Sequence, residues 1–280
     1  MLKNKENRIL KVIIYVVCII LAILSIAPFW IMIVNATRST TEIQQHAVAF
    51  LPSGYLMNNW DILTGKSFNP GVGFINSIII SVGSTALAVY FSCLTAYALT
   101  AYDWKFKKAF FSLIMVIMMI PAQITLIGFY QMAYQLGLTN NRWMLILPAI
   151  ASPSMVFFMR QYLQASLSME IVQSARIDGA SEFRTFNRIV LPIMKPAMAT
   201  QAIFSFVSSW NNLFTPSVLL TDQDKYTMPI MVSLLKGDIY KTEYGSVYLG
   251  LTLTAVPLIV AYLFLSKYII AGVALGSVKG

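Results

Sequence analysis

The sequence predicts an all-α polytopic membrane bundle of six transmembrane helices, and three observations predict it. Hydrophobic residues make up 58% of the 280 and charged residues 11%, with a mean hydropathy of +0.70, outside the range of soluble globular chains. Six runs reach or approach the roughly 20 apolar residues that a helix needs to cross about 30 Å of hydrocarbon. Within those runs there is no Asp, Glu, Lys, Arg or His.

In chain order, residues 1–11 form a basic N-terminal segment and Val12–Val34 the first span. That run is full length, ends in Pro28, Phe29 and Trp30, and lacks a small-residue cleavage site, so it is expected to stay as an anchor. Residues 35–73 form an extracytoplasmic loop rich in turn formers, Pro52-Ser53-Gly54 and Asn69-Pro70-Gly71. It is expected to pack as a small cap with Phe50 and Trp60 at the interface. The second span is Phe74–Tyr97, the inner loop Ala101–Lys108 is short and basic, and the third span is Ala109–Met132. A fourth, Met144–Met159, is bracketed by Arg142 and Arg160 and interrupted by Pro148 and Pro153, which predicts a short, kinked span. After a polar island at 160–195 come the fifth span Ala197–Leu220, an outer loop Thr221–Ser246 with Asp222, Asp224, Asp238 and Glu243, and the sixth span Val247–Ser266. Residues 74–270 thus form a core domain of five spans, followed by a tail at 271–280.

Orientation follows from the basic residues. With the N-terminus inside, fourteen of the twenty Lys and Arg fall on the inner side, among them Lys105, Lys107, Lys108, Arg160, Arg176, Arg184, Arg188 and Lys195. The positive-inside bias puts both termini and the island in the cytoplasm. Acidic residues divide five inside and six outside, so the net charge of +9 lies on the inner face. It reports topology and makes a nucleic-acid partner improbable.

The island, RQYLQASLSMEIVQSARIDGASEFRTFNRIVLPIMK from Arg160 to Lys195, reads as two short helices meeting at Gly179. Ser168 is an N-cap candidate, with Glu170 in the first turn against the positive helix end. Ile171, Val172 and Ala175 share one side, and Gly179 stands where a left-handed residue ends a helix. Ser181 can cap a second helix whose Phe183, Phe186, Ile189 and Val190 form an apolar stripe against Arg184 and Arg188, suited to the membrane surface. Pro192 and Pro196 turn the chain into the fifth span.

The chemistry that is missing matters as much. Ion-coupled carriers need ionisable groups or broken-helix ion sites in the bilayer, and membrane enzymes need a polar constellation at the reaction centre. His46 lacks a nearby Cys or His partner and reads as a solvated loop residue. Gly65-Lys66-Ser67 mimics the end of a phosphate-binding loop, but Trp60 occupies the position of its earlier glycine. Cys18 and Cys93 lie inside spans and behave as small apolar residues, and Met115, Met118 and Met119 are packing residues. No metal, cofactor or catalytic residue is expected. The chain can enclose a pathway, and the energy to drive it must come from outside, through the island.

Gln173-Ser174-Ala175-Arg176-Ile177-Asp178-Gly179-Ala180, followed by Ile189-Val190-Leu191-Pro192, resembles the EAA loop of ABC importer permeases. That family's pattern is Glu-Ala-Ala, three residues, Gly, then nine residues to Ile-x-Leu-Pro, and the Gly179 to Ile189 spacing agrees. Gln173 replaces the family glutamate and Ser174 the first alanine; Gln173 can still hydrogen bond, and Glu170 or Asp178 can supply charge. Further matches resemble carbohydrate permeases like the smaller membrane subunit of maltose-type importers. They are Phe74, Asn76 and Ser77 opening the second span, the Trp210-Asn211 pair in the fifth, and the terminus Gly276-Ser277-Val278-Lys279-Gly280. Asn212 stands where many relatives carry an acidic residue.

The resemblance implies a type I ABC importer (MetI-like) permease fold. It also implies a second homologous permease subunit, two copies of a cytoplasmic ABC ATPase that hydrolyse the ATP, and an extracytoplasmic sugar-binding protein. Coupling to the ATPase then falls to Glu170, Gln173, Ser174, Ala175, Asp178, Gly179, Ile189, Leu191 and Pro192. The tail residues Gly276, Lys279 and Gly280 reach between the ATPases, and Thr221–Ser246 faces the binding protein. Trp210, Asn211 and Asn212 are candidates for the translocation pathway, against the plainer reading that amides inside a span bond neighbouring helices. Two other functions stay open: an ABC permease for another solute such as glycerol phosphate or a polyol, and an autonomous channel or secondary carrier, which would need no ATPase.

Overall fold

The computed structural model of the chain describes residues 2–65, 68–235 and 242–277. Lys66 and Ser67 of the phosphate-loop mimic, Lys236, Asp238 and Lys241 of the outer loop, and Val278, Lys279 and Gly280 of the tail lie outside the described residues. All regular structure among the described residues is helical. In chain order the helices are α1 (Leu2–Asn35), α2 (Thr40–Gln45), α3 (Leu56–Gly65), α4 (Pro70–Ala101), α5 (Lys107–Met118), α6 (Ala122–Gln135), α7 (Trp143–Ile146), α8 (Pro153–Ser166), α9 (Met169–Ile177), α10 (Glu182–Thr185), α11 (Leu191–Ile193), α12 (Lys195–Trp210), α13 (Phe214–Leu219), α14 (Met228–Leu235) and α15 (Tyr244–Ser277). Two 3-10 turns, Leu147–Ile150 and Gln223–Lys225, and a π turn, Phe186–Val190, complete the set.

Three stretches are long and apolar enough to cross a bilayer: Leu10–Asn35, Pro70–Ala101 and Trp143–Ser166. Two expected spans are broken. Ala109–Met132, expected as one helix, divides into α5 and α6 with a bend of 101°. Pro121 is the cause: it has no N–H to donate and disfavours helical geometry at Ile120, and its own ψ of 129° is extended. Ala197–Leu220 likewise stops at Trp210. Asn212 Oδ1 accepts from the Thr215 N–H at 3.2 Å, which favours a fresh start at α13 over continuation. The fourth span is kinked at Pro148 and Pro153 as expected, but it runs on to Ser166. It passes Arg160 because that guanidinium lies 4.0 Å from the centre of the Phe111 ring. The outer loop Thr221–Ser246 is also more than a loop, since the apolar run of α14 buries Met228, Ile230, Met231, Val232 and Leu235.

The chain divides into two compact units, Met1–Pro70 with Met231–Val256, and Gly71–Ile230 with Pro257–Gly280. In the first, α1 is exposed along its apolar length until its last turn, as a helix with hydrocarbon for solvent would be. The expected cap then forms on a polar pin. Ser39 and Glu42 make a reciprocal capping box at the start of α2. Arg38, 7% exposed, donates to Asn35 Oδ1 at 3.1 Å and to the carbonyls of His46 at 2.7 Å and Glu42 at 2.9 Å. Asn59 Nδ2 donates to the carbonyls of Ala36 and Arg38, both at 2.9 Å. Gly245, in the first turn of α15, lies against this pin: a Cβ there would sit 2.3 Å from Arg38 O and 2.5 Å from the Asn59 amide.

The second unit has its main core between α4, α8, the island and the start of α12, with Cys93, Ala96, Tyr97, Met159, Leu163, Val172, Phe186, Val190 and Met194 at its centre. Its outer edge is tied by polar side chains. Asn76 Nδ2 donates to the carbonyls of Asp224 and Tyr226, both at 2.9 Å, and Ser77 Oγ accepts from the Met228 N–H at 2.9 Å.

We predict that Gly245→Ala lowers the thermal midpoint of the detergent-purified protein, at a cost of about 1–3 kcal/mol for overpacking against backbone. Gly250→Ala, whose Cβ would meet the flexible Leu235 Cδ1 at 3.1 Å, should cost less. Equal midpoints for Gly245→Ala and the unaltered protein in a fluorescence melt would contradict the close approach.

Candidate functional site

The island is built by local rules and then welded in place. Ser168 caps α9 by accepting from the Glu170 N–H at 3.3 Å. The other end closes as a Schellman motif: the Ala180 N–H donates to Ala175 O at 2.9 Å and the Gly179 N–H to Arg176 O at 3.1 Å. Gly179 has φ +77°, the left-handed conformation that motif requires. Ser181 then caps α10 through the Arg184 N–H.

The stripe expected to lie on the membrane surface does something else. Phe186 and Val190 point into the core at 1% and 0% exposure, and only Phe183 stands out, at 69%. Both belong to the π turn Phe186–Val190 and join the core cluster with Tyr97, Met159 and Leu163. The Phe186 ring meets Tyr90 edge-on at 5.8 Å and Tyr97 at 5.7 Å. Val172 and Ala175 seal α9 from the same side, whereas Ile171 is exposed.

A polar clamp completes the attachment. Glu182 Oε1 accepts from Arg176 Nε at 2.7 Å, bridging the two island helices. Glu182 Oε2 accepts from Tyr97 OH at 3.3 Å and from Tyr102 OH, which tie it to the end of α4. Arg176 also lies 5.3 Å from the centre of the Tyr102 ring, and Lys107 Nζ donates to Tyr102 O at 2.8 Å. The hydrogen bond from Arg176, then that from Tyr102, holds the Glu182 carboxyl below the usual carboxylate range. Arg176 is raised, mainly by its bond to Glu182, and Tyr102 is raised, chiefly by desolvation. With side chains 36% and 45% exposed, the Arg176–Glu182 pair is screened by solvent, so its main effect is orientation.

The residues expected to couple therefore divide. Glu170, Gln173, Ser174, Asp178 and Gly179 are exposed on the outer side of α9, beside Ile177 at 86% exposure. Ala175 is buried, and Leu191 packs half-buried on the core with Ile189 half-buried beside it and Pro192 exposed. Glu182 was not among the expected site residues; its signal was the Arg176 to Glu182 pairing across Gly179. Gly276 falls inside α15.

A second feature lies along the spans. A cavity of about 530 Å³ opens between α4, α8 and α12, lined by Ser84, Ser152, Ser154, Gln201, Ser205, Ser208, Ser209 and Asn212 with Ala88, Leu145, Ala149, Ala151, Pro153, Met155 and Phe204. It has polar walls without one ionisable group. Of the expected pathway residues, Asn212 lines it and Asn211 is exposed. Trp210 is packed away at 1% exposure, edge-on to Phe74 and stacked on Phe206, both at 5.8 Å.

Comparison with known proteins agrees with this architecture. The model of the binding-protein-dependent transport system inner membrane component matches residues 88–274, which take in the island and the broken fifth span. The chain belongs to this family. It is 34% identical over the full length of both chains to the arabinooligosaccharides transport system permease protein AraQ of Halalkalibacterium halodurans. It is 30% identical, again over the full length of both, to the lactose transport system permease protein LacG of Rhizobium radiobacter. Among solved structures, a bacterial ABC transporter involved in import of the acidic polysaccharide alginate superposes with a TM-score of 0.80 at 22% identity, covering 94% of this chain and 97% of that one. That likeness shows the fold, the MetI-like permease fold expected from the EAA-type island.

Because the Glu182 carboxyl is lowered in the folded protein, its contribution is complete above the ordinary carboxylate pKa and is lost as pH falls through the lowered value. We predict that Glu182→Gln speeds amide hydrogen exchange over residues 169–185 at neutral pH severalfold. The unaltered protein should reach that rate only at acid pH; equal exchange in the two proteins at neutral pH would contradict the clamp.

Proposed function

We propose that this protein is the transmembrane permease subunit of an ATP-binding cassette importer for carbohydrate, a sugar or oligosaccharide, in the cell membrane of a prokaryote. It works with a second homologous permease, two copies of a cytoplasmic ABC ATPase and an extracytoplasmic sugar-binding protein. Both termini face the cytoplasm, in line with the distribution of Lys and Arg. ATP hydrolysis belongs to the ATPase, and this subunit converts its closure into helix movement.

The observation that carries the proposal is the two-sidedness of the island. One side is buried in the core of the bundle, and the other leaves Glu170, Gln173, Ser174, Ile177, Asp178, Gly179 and Phe183 exposed. Exposed Ile177 and Phe183 beside polar groups make a surface that a cleft in a partner can cover. Ala175, Ile189, Leu191 and Pro192 serve the inward side, transmitting force. Lys279 and Gly280, with Gly276, supply the tail contact between the ATPases. Carbohydrate as cargo is supported by the names of the relatives and by the uncharged cavity, which favours a neutral hydroxylated solute over a phosphorylated one.

At Gly179 a Cβ would meet no atom within 4 Å, so a larger side chain fits within this chain at the cost of its left-handed backbone, about 1–2 kcal/mol. Gly179→Trp is therefore expected to leave insertion and subunit assembly intact while disconnecting ATP hydrolysis from uptake in proteoliposomes. Unchanged uptake per ATP hydrolysed would refute coupling through this elbow. Gln173→Glu, on the exposed side, should retain ATPase association in detergent pull-down and full uptake.

A further inference from the structure

We infer that Arg160 and Lys108 hold the phosphodiester of an anionic phospholipid between α5 and α8, on the side of the bilayer where the island lies. The inference is independent of cargo and of any ATPase, and asks only that the chain span a membrane.

Arg160 stands inside the apolar stretch Trp143–Ser166, where an ionisable group normally has a partner. Among the described residues it has none of opposite charge. Its guanidinium lies 4.0 Å from the centre of the Phe111 ring and makes no hydrogen bond and no ion pair to any described residue. Nε is buried, while the two terminal nitrogens remain accessible. An arginine stays charged and carries five N–H donors in a planar fork, so one ring beneath it leaves both the charge and the donors unmet. The fork is also held in place. Phe111 of α5 stacks at 6.4 Å on Phe157, three residues before Arg160 on α8, so both helices fix the surface on which the guanidinium rests.

Lys108 precedes Phe111 by three positions and shares its face of α5. Like Lys105 it is exposed and has no acidic partner among the described residues, since the neighbouring Asp103 pairs with Lys107 at 3.1 Å. This end of α5 and α8 therefore carries positive charge without a counter-charge, and an anion complements it. Depth decides which anion. Phe111 lies four residues, about 6 Å, beyond Lys107 along α5, a distance that matches the headgroup layer. Trp104, 41% exposed, marks that layer as interfacial tryptophans do. Farther along α5, Leu113 and Val116 are 53% and 57% exposed, a surface for acyl chains. A phospholipid meets both demands at once: its phosphate accepts from the fork, and its tails cover the apolar residues that follow. A soluble anion meets only the first.

The test uses the full chain in a neutral detergent, with native mass spectrometry measuring the binding of phosphatidylglycerol and of phosphatidylcholine with the same acyl chains. The unaltered protein should favour phosphatidylglycerol about tenfold, the size of a charge-assisted hydrogen bond, and that lipid alone should raise its thermal midpoint. Arg160→Gln should abolish the preference, and Lys108→Gln, at an exposed position, should reduce it about three- to fivefold. Lys195→Gln, which removes an exposed cation at the start of α12, should leave it unchanged. If Arg160→Gln folds and keeps the preference, the site is wrong. If Arg160→Gln does not fold, Lys108→Gln decides alone: a reduced preference supports the site and a retained one overturns it. Displacement of phosphatidylglycerol by millimolar inorganic phosphate would show a site for soluble anions and overturn the lipid assignment. Loss of a partner subunit from the assembled transporter on Arg160→Gln, with lipid preference intact, would assign the fork to a protein carboxylate instead.

Discussion

The burial of Phe186 is the interaction on which the island depends. Its side chain is 1% exposed among Tyr90, Tyr97, Val172, Val190 and Met194, so the island is a continuation of the membrane core rather than a loop hung from it. Packed interiors resist compression and pass displacement on. Through Phe186 the island is packed directly against α4. The Glu182 clamp adds direction, because one carboxylate gathers donors from α9 and from the end of α4.

Where helices break, polar side chains take over from the backbone. Asn212 accepts from Thr215 N–H beside the break in the fifth span. On the outer edge Asn140, at φ +58°, accepts from the N–H groups of Thr221 and Asp222 at 3.2 Å and donates to the Asp222 carboxylate. Asn76 and Ser77 hold the following segment to α4. The same rule accounts for each: a chain leaving helical geometry near hydrocarbon must find substitutes for its lost hydrogen bonds.

Much of this was legible in the sequence, for identifiable reasons. The caps at Ser168 and Ser181 and the left-handed Gly179 depend on local chemistry, and all three form as expected. The breaks at Pro121 and Asn212 were missed because hydropathy runs smoothly through both, although Pro121 carried the signal. Phe186 was assigned to the membrane surface because an apolar stripe at helical spacing reads the same whether protein or lipid covers it. The helical character of Met228–Leu235 was hidden by reading an acidic loop as uniform. Serines at 152, 154, 205, 208 and 209 drew no attention, since separate short hydroxyls come to line one cavity only when α8 and α12 bring them together.

The neutrality of the cavity wall has an electrical consequence. A membrane voltage does work only on charge that moves through it, about 2.3 kcal/mol per elementary charge for each 100 mV. The side chains around this cavity offer it none. Moving these side chains draws no current, so along this stretch a bilayer potential finds nothing in the wall to pull on.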